Sequence, residues 1–135
     1  MSWIANLLRP AEPRIRVFGI LPGAPDRAAL TGIAERAGWE LKLAADTGSA
    51  LRILKHYEAR VIICDREQPD CEWRQTISLL TTHAPASCLI LTSSVTDDRL
   101  WLEVIERGGY DVLTMPFHES RVLNAVRLGS DQVRK

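Results

Sequence analysis

The amino-acid sequence predicts an α/β fold, a three-layer sandwich with helices on both faces of a five-stranded parallel sheet. Three observations lead there. Short β-branched runs alternate with amphipathic stretches along the chain. Two of the runs, "ARVIICD" (59–65) and "SCLILTS" (87–93), are almost wholly apolar, as strands covered on both faces must be. Each strand is followed by a helical pattern, and that order produces a parallel sheet with right-handed crossovers.

Taken in order, "RIRVFGIL" (14–21) reads as the first strand, broken by "LPGAP". "DRAALTGIAERAG" then places Leu30, Ile33, Ala34 and Ala37 at helical spacing, with Gly38 as the stop. "WELKLA" alternates as a half-buried strand. "DTGSALRILKHYE" opens on a cap at Asp46 or Thr47 and lines up Ala50, Leu51 and Leu54. After "ARVIICD", the helix "EWRQTISLLTTHA" carries the stripe Trp73, Ile77 and Leu80. After "SCLILTS", the helix "DDRLWLEVIERGG" shows a wide face of Leu100, Trp101, Val104 and Ile105, with Leu102 outside its centre. The strand "YDVLTM" follows, then a last helix from about His118 to Leu128, ended by Gly129.

With 135 residues, 46% apolar and 25% charged, the chain suits one folded domain with a sizeable core. Residues 1–13 read as an N-terminal extension, 14–129 as the domain and 130–135 as a tail. Lys+Arg and Asp+Glu are both 17, so no global basic field points to nucleic acid or to an anionic membrane. Cys64, Cys71 and Cys88 are odd in number and lack C-x-x-C spacing, which suggests neither a disulfide framework nor a zinc site and fits a reduced, cytoplasmic setting. His56, His83 and His118 fall on separate elements and read as surface or helix-end residues. "MSWIANLLRPAEP" is too short for a signal peptide or a spanning helix. Within it Trp3, Ile4, Leu7 and Leu8 share one side of a helix too short to stand alone, so it should dock on its own domain, on another copy or on a partner.

In a sheet of this type, function collects at the carboxyl ends of the strands. Asp65 closes the third strand, where an aspartate can be a nucleophile, a phosphate acceptor or a metal ligand, or can simply cap the next turn. Thr92 and Ser93 close the fourth, where their hydroxyls can meet an anion or satisfy nearby backbone. Gly23 in "LPGAPD" leads into a helix N-terminus, but the Gly-rich spacing of a nucleotide loop is absent.

Four segments taken together resemble the receiver domain of two-component response regulators over roughly residues 14–128. They are "VIICD" with Pro69 four residues on, "LILTSS", "ERGGYDVL", which is similar to the receivers' E-A-G-A-D-D-Y-L, and "LTMPF", which is similar to L-T-K-P-F. The resemblance implies a flavodoxin-like sheet in the order 2-1-3-4-5. It makes Asp65 the phosphoacceptor equivalent, and Thr92, with Ser93 beside it, the equivalent of the phosphate-contacting hydroxyl. It also implies an acidic pair holding Mg²⁺ after the first strand, where this chain has Pro22 and Gly23, and a phosphate-binding lysine where it has Met115. Val112 stands in the place of the rotating aromatic, and Glu72 and Trp73 stand near the family's Asp-Gly.

Each lost donor commonly costs about 10²–10³ in rate, and loss of the metal costs several kcal/mol more. An aspartyl phosphate would also add about −1.5 to −2 charge with no cation beside it. The resemblance thus leads to a divergent, phosphorylation-independent receiver with no cofactor and no Mg²⁺. It would act on a protein partner or a second copy through the fourth helix, fifth strand and fifth helix, with Trp101, Leu102 and Trp3 as interface candidates. Core packing is the competing reading of Trp101. No direct contact with nucleic acid or membrane is expected, and no output domain follows Leu128, so the domain stands alone or was cut at a linker. One alternative is a true phosphoacceptor in which Asp26, helped by Glu67 or Asp70, rebuilds a metal site. A second is a flavodoxin-like enzyme or small-ligand binder using the strand-end crevice. The family's Lys-Pro bond is usually cis, so Met115–Pro116 should be cis as well.

Overall fold

The computed structural model describes residues 14–133. The chain order is β1 (Arg16–Ile20), α1 (Ala24–Ala37), β2 (Glu40–Ala44), α2 (Thr47–Leu54), β3 (Val61–Asp65), α3 (Trp73–His83), β4 (Cys88–Ser93), α4 (Asp98–Glu106), β5 (Asp111–Thr114) and α5 (Glu119–Val133). All strand pairs are parallel, in the order β2-β1-β3-β4-β5. The proposed docking of Trp3, Ile4, Leu7 and Leu8 lies outside the described residues.

The period of two along each strand splits the core in two. Phe18, Ile20, Ile62, Cys64, Leu89 and Leu91 face α2, α3 and α4, where Ala50, Trp73, Ile77, Leu80, Leu100 and Val104 cover them. Val17, Val61, Ile63 and Ile90 point the other way, onto Leu30, Ile33 and Ala34 of α1 and Val122, Ala125 and Val126 of α5. Both faces of β3 and β4 are sealed, which is why their sequences show no polar alternation.

The helices begin where side-chain acceptors satisfy free N–H groups. Asp46 accepts from the Ser49 amide at 2.7 Å, and Asp97 accepts from that of Leu100 at 2.8 Å. Gly38 ends α1 in the left-handed region at φ 76°, as its place in the pattern predicts. The Met115–Pro116 peptide is cis, also as expected.

One expectation fails, and so does one of the two readings of Trp101. The last helix does not end at Gly129: α5 continues through it to Val133, and Ser130 is buried. That glycine serves packing, because a Cβ there would come 2.6 Å from Cys88 Sγ on β4. Trp101 is not a core residue either. Leu100 and Val104, four apart, form the row that meets the sheet, and one step of about 100° puts Trp101 on the flank, where it is 48% exposed beside Leu102 at 53%. No helix among the described residues is long and apolar enough to cross a membrane.

Candidate functional site

Register brings the candidate residues to one edge of the sheet. Ile20 pairs with Cys64, Asp65 with Thr92 and Ser93 with Thr114, so the ends of β1, β3, β4 and β5 line a shared crevice. Asp65 and Thr92, as paired residues, project from the same face. The Thr92 hydroxyl, wholly buried, donates to Asp65 Oδ2 at 3.0 Å. Asp65 Oδ1 accepts from the Glu67 amide at 2.7 Å, the tight Asx-type turn that is the simpler reading of this residue. Both carboxylate oxygens thus already hold donors from the chain itself. No ion pair to Asp65 forms among the described residues.

Ser93 behaves differently from its neighbour. Its hydroxyl donates to the Val95 carbonyl at 2.7 Å and accepts from the Val95 amide at 3.2 Å, so it organises the loop before α4. Beyond β5, the Met115 amide donates to the Ser93 carbonyl at 2.9 Å, and the methionine is half-buried. Val112 is half-buried against the α2–α4 side of the core. His56, His83 and His118 are exposed, as their positions predict.

The β1 flank has its own chemistry, and two of its residues escape sequence reasoning. Arg27, in the first turns of α1, donates from one guanidinium nitrogen to the carbonyls of Leu21 at 2.7 Å and Pro22 at 2.8 Å. The Gln68 side-chain amide donates to the carbonyls of Ile20 at 3.1 Å and Asp65 at 2.9 Å, tying β1 to β3. A basic residue near a helix N-terminus runs against the dipole. That oddity, five residues past Pro22, is the one signal in the sequence that could have drawn attention to Arg27.

Do these residues fit the Mg²⁺ that the receiver pattern implies? They do not. Pro22 and Gly23 bring no carboxylate, and a guanidinium already occupies the adjacent carbonyls. Mg²⁺ needs hard oxygen ligands in a strict octahedron. Of the other carboxylates nearby in sequence, Asp70 is taken, accepting from the Thr47 and Gly48 amides at 3.1 and 2.9 Å at the start of α2. Asp26 lies folded over Gly23, with Oδ2 3.0 Å from where a Cβ would be. Among the described residues no group of three His, Cys, Asp or Glu side chains gathers in a metal-holding arrangement.

Nor is the crevice the site of the open hollow of about 420 Å³. That hollow is lined by Lys42, Ser49, Arg52, Ile53, His56 and Tyr57, beside β2 and α2.

No protein-family model and no curated protein matches the chain. Solved structures do. A CheY-like response regulator receiver domain from Methanospirillum hungatei superposes with a TM-score of 0.82 at 16% identity, covering 90% of this chain and 98% of its own. The signal receiver domain of an HD domain-containing protein from Pseudomonas fluorescens gives 0.82 at 20% identity, covering 90% and 98%. The beryllofluoride-activated NtrC4 receiver domain dimer gives 0.81 at 22% identity, covering 87% and 98%. The fold is that of the response regulator receiver domain, in the predicted flavodoxin-like order.

Proposed function

We propose that this chain is a receiver-type signalling module that acts by binding protein, with no phosphorylation step at Asp65 and no enzymatic turnover. One observation carries the reading. The aspartate and its hydroxyl partner are in place, but Pro22, Gly23 and Met115 stand where the acidic pair and the lysine belong. Phosphoryl transfer to a carboxylate depends on cations that neutralise the transferring oxygens. Asp65 itself makes no ion pair among the described residues.

The binding surface we assign is the α4-β5-α5 face. Trp101 and Leu102 on α4 and Leu128 on α5 are large, apolar and exposed, and Val95 before α4 is 66% exposed. Exposed tryptophan is the type of side chain that most often anchors an interface. A protein partner or a second copy of this chain would cover it. One similar structure is a receiver domain dimer, which favours the second copy. The small-ligand alternative has less support, since the hollow lies beside β2 and α2.

The test is a backbone-amide NMR titration with Mg²⁺ and then beryllofluoride, with Asp65→Asn as control. No shift at Asp65, Thr92 or their neighbours is expected at millimolar ligand. Shifts that vanish in the Asn variant would overturn the reading in favour of a true phosphoacceptor.

A further inference from the structure

The open hollow of about 420 Å³ beside β2 and α2 lies outside the strand-end crevice and plays no part in the chemistry of Asp65. Its walls follow from two periodicities. Leu41 and Leu43 pack on the α1–α5 side of the sheet, so Lys42 between them projects to the α2 side. Ser49, Arg52, Ile53 and His56 recur at helical spacing and bring one stripe of α2 and the turn after it to the same place. Tyr57 is buried there and fixed by its hydroxyl, which donates to the Glu40 carbonyl at 3.2 Å.

The charge in the hollow is one-sided. Lys42 and Arg52 are exposed and make no ion pair among the described residues. Of the acids near them, Glu40 pairs with Arg16 at 3.5 Å, and Asp46 caps α2 by accepting from the Ser49 amide at 2.7 Å. Arg52 is turned back along the helix, away from the last carbonyls of α2: its Nη2 donates to Ser49 Oγ at 3.0 Å. That bond uses the Ser49 oxygen as acceptor and leaves the hydroxyl hydrogen to donate. Lys42 Nζ is held over the Tyr57 ring, 4.9 Å from its centroid. A guanidinium, an ammonium and a hydroxyl thus converge as donors beside an apolar wall of Ile53 and Tyr57.

We propose that this hollow is a binding site for a small phosphorylated organic molecule. Two cations match the double negative charge of a phosphate monoester near neutral pH, where a carboxylate carries only one. The volume leaves room for more than the phosphate group itself. Arg52, Lys42 and the Ser49 hydroxyl take the phosphate oxygens, and Ile53 and Tyr57 pack against the organic part. The site is separate from Asp65, so it gives the module an input that needs no phosphorylation of the chain.

The experiment is a backbone-amide NMR titration of the full chain with phenyl phosphate, inorganic phosphate and benzoate, at a constant ionic strength of about 0.1 M. Phenyl phosphate should shift the residues lining the hollow and leave Asp65 and Thr92 in place. Its apparent affinity should exceed that of either simpler anion by at least about threefold. Lys42→Gln and Arg52→Gln should each weaken it by about tenfold. Lys55→Gln removes the same charge from an exposed neighbour that does not line the hollow, and should leave binding within about twofold of wild type. All three positions are exposed, so the variants should fold as the wild type does. No shift at the hollow, or equal weakening by all three variants, would overturn the site. Inorganic phosphate binding as tightly as phenyl phosphate would remove the organic part of the assignment, and benzoate binding as tightly would remove the phosphate.

Discussion

The two halves of the crevice follow opposite plans. At its centre, β3 and β4 bring Asp65 and Thr92 into register and hydrogen bond them. At its flanks, the ends of β1 and β5 carry Pro22, Gly23 and Met115, and the β1 side is closed by Arg27 and Gln68. The centre is dictated by packing. β3 and β4 are buried on both faces, so their register, and with it the meeting of Asp65 and Thr92, follows from the core. The flanks are loops and helix starts, where side chains change without disturbing the sheet. The shape of the sheet and the side chains at its flanks are thus held by different residues, and the flanks can change while the sheet stays.

The largest effect that tests this division comes from the core. Alanine in place of glycine inside a helix ordinarily stabilises by about 0.5–1 kcal/mol. At Gly129 the sign should reverse, because the new Cβ would come 2.6 Å from Cys88 Sγ and force α5 off the sheet. Gly129→Ala should destabilise by about 1–3 kcal/mol in urea unfolding. Adding Cys88→Ala should recover much of that loss, as coupled neighbours do. Additive losses in the double variant would show that the contact is not the cause.

That glycine also shows where sequence reading stops. The strands, the helices, the Asp46 cap and the Gly38 stop were legible because burial repeats with the period of each element and because caps are local chemistry. Gly129 was misread as a stop because its reason lies on β4, 41 positions back by the numbering of Cys88. The sequence left Trp101 between core and interface because a 100° step on a helix separates core from flank, and an apolar side chain alone does not say which. In the site, the resemblance drew attention to Asp65 and Thr92, which the register does bring together. Arg27 and Gln68 stayed hidden because their partners are backbone carbonyls, which every residue has and no sequence pattern marks.

A smaller effect sharpens the centre of the crevice. Thr92→Val removes the hydroxyl that donates to Asp65 Oδ2 while nearly keeping the shape. A loss of about 1 kcal/mol in urea unfolding is expected, the ordinary worth of one hydrogen bond. Partner binding or self-association, followed by light scattering, should be unchanged if the centre now serves structure only. Abolished association would mean that the Asp65–Thr92 pair still controls the distant face.

The smallest effect belongs to the surface that joins α3 to α4. Glu103 accepts from Arg74 Nη2 at 2.9 Å and from Arg107 Nε at 2.9 Å, and the Arg74 guanidinium also stacks 4.5 Å from the Trp73 ring. The hydrogen bond from Arg74, then that from Arg107, holds the Glu103 carboxyl at about 2, well below its ordinary 4.5. A carboxyl depressed on folding stabilises the fold above its unfolded pKa and loses that contribution as pH falls through the folded one. Glu103→Gln should therefore lower the melting temperature by about a degree or two near neutral pH, the scale of an exposed ion pair. The gap between variant and wild type should stay constant down to about pH 5 and close between 4.5 and 2. A gap that persists at the acid end would assign the effect to the packing of Arg74 on Trp73 instead. α4 would then be held in place by that stacked contact, with the charge of Glu103 contributing little to how Trp101 and Leu102 are presented.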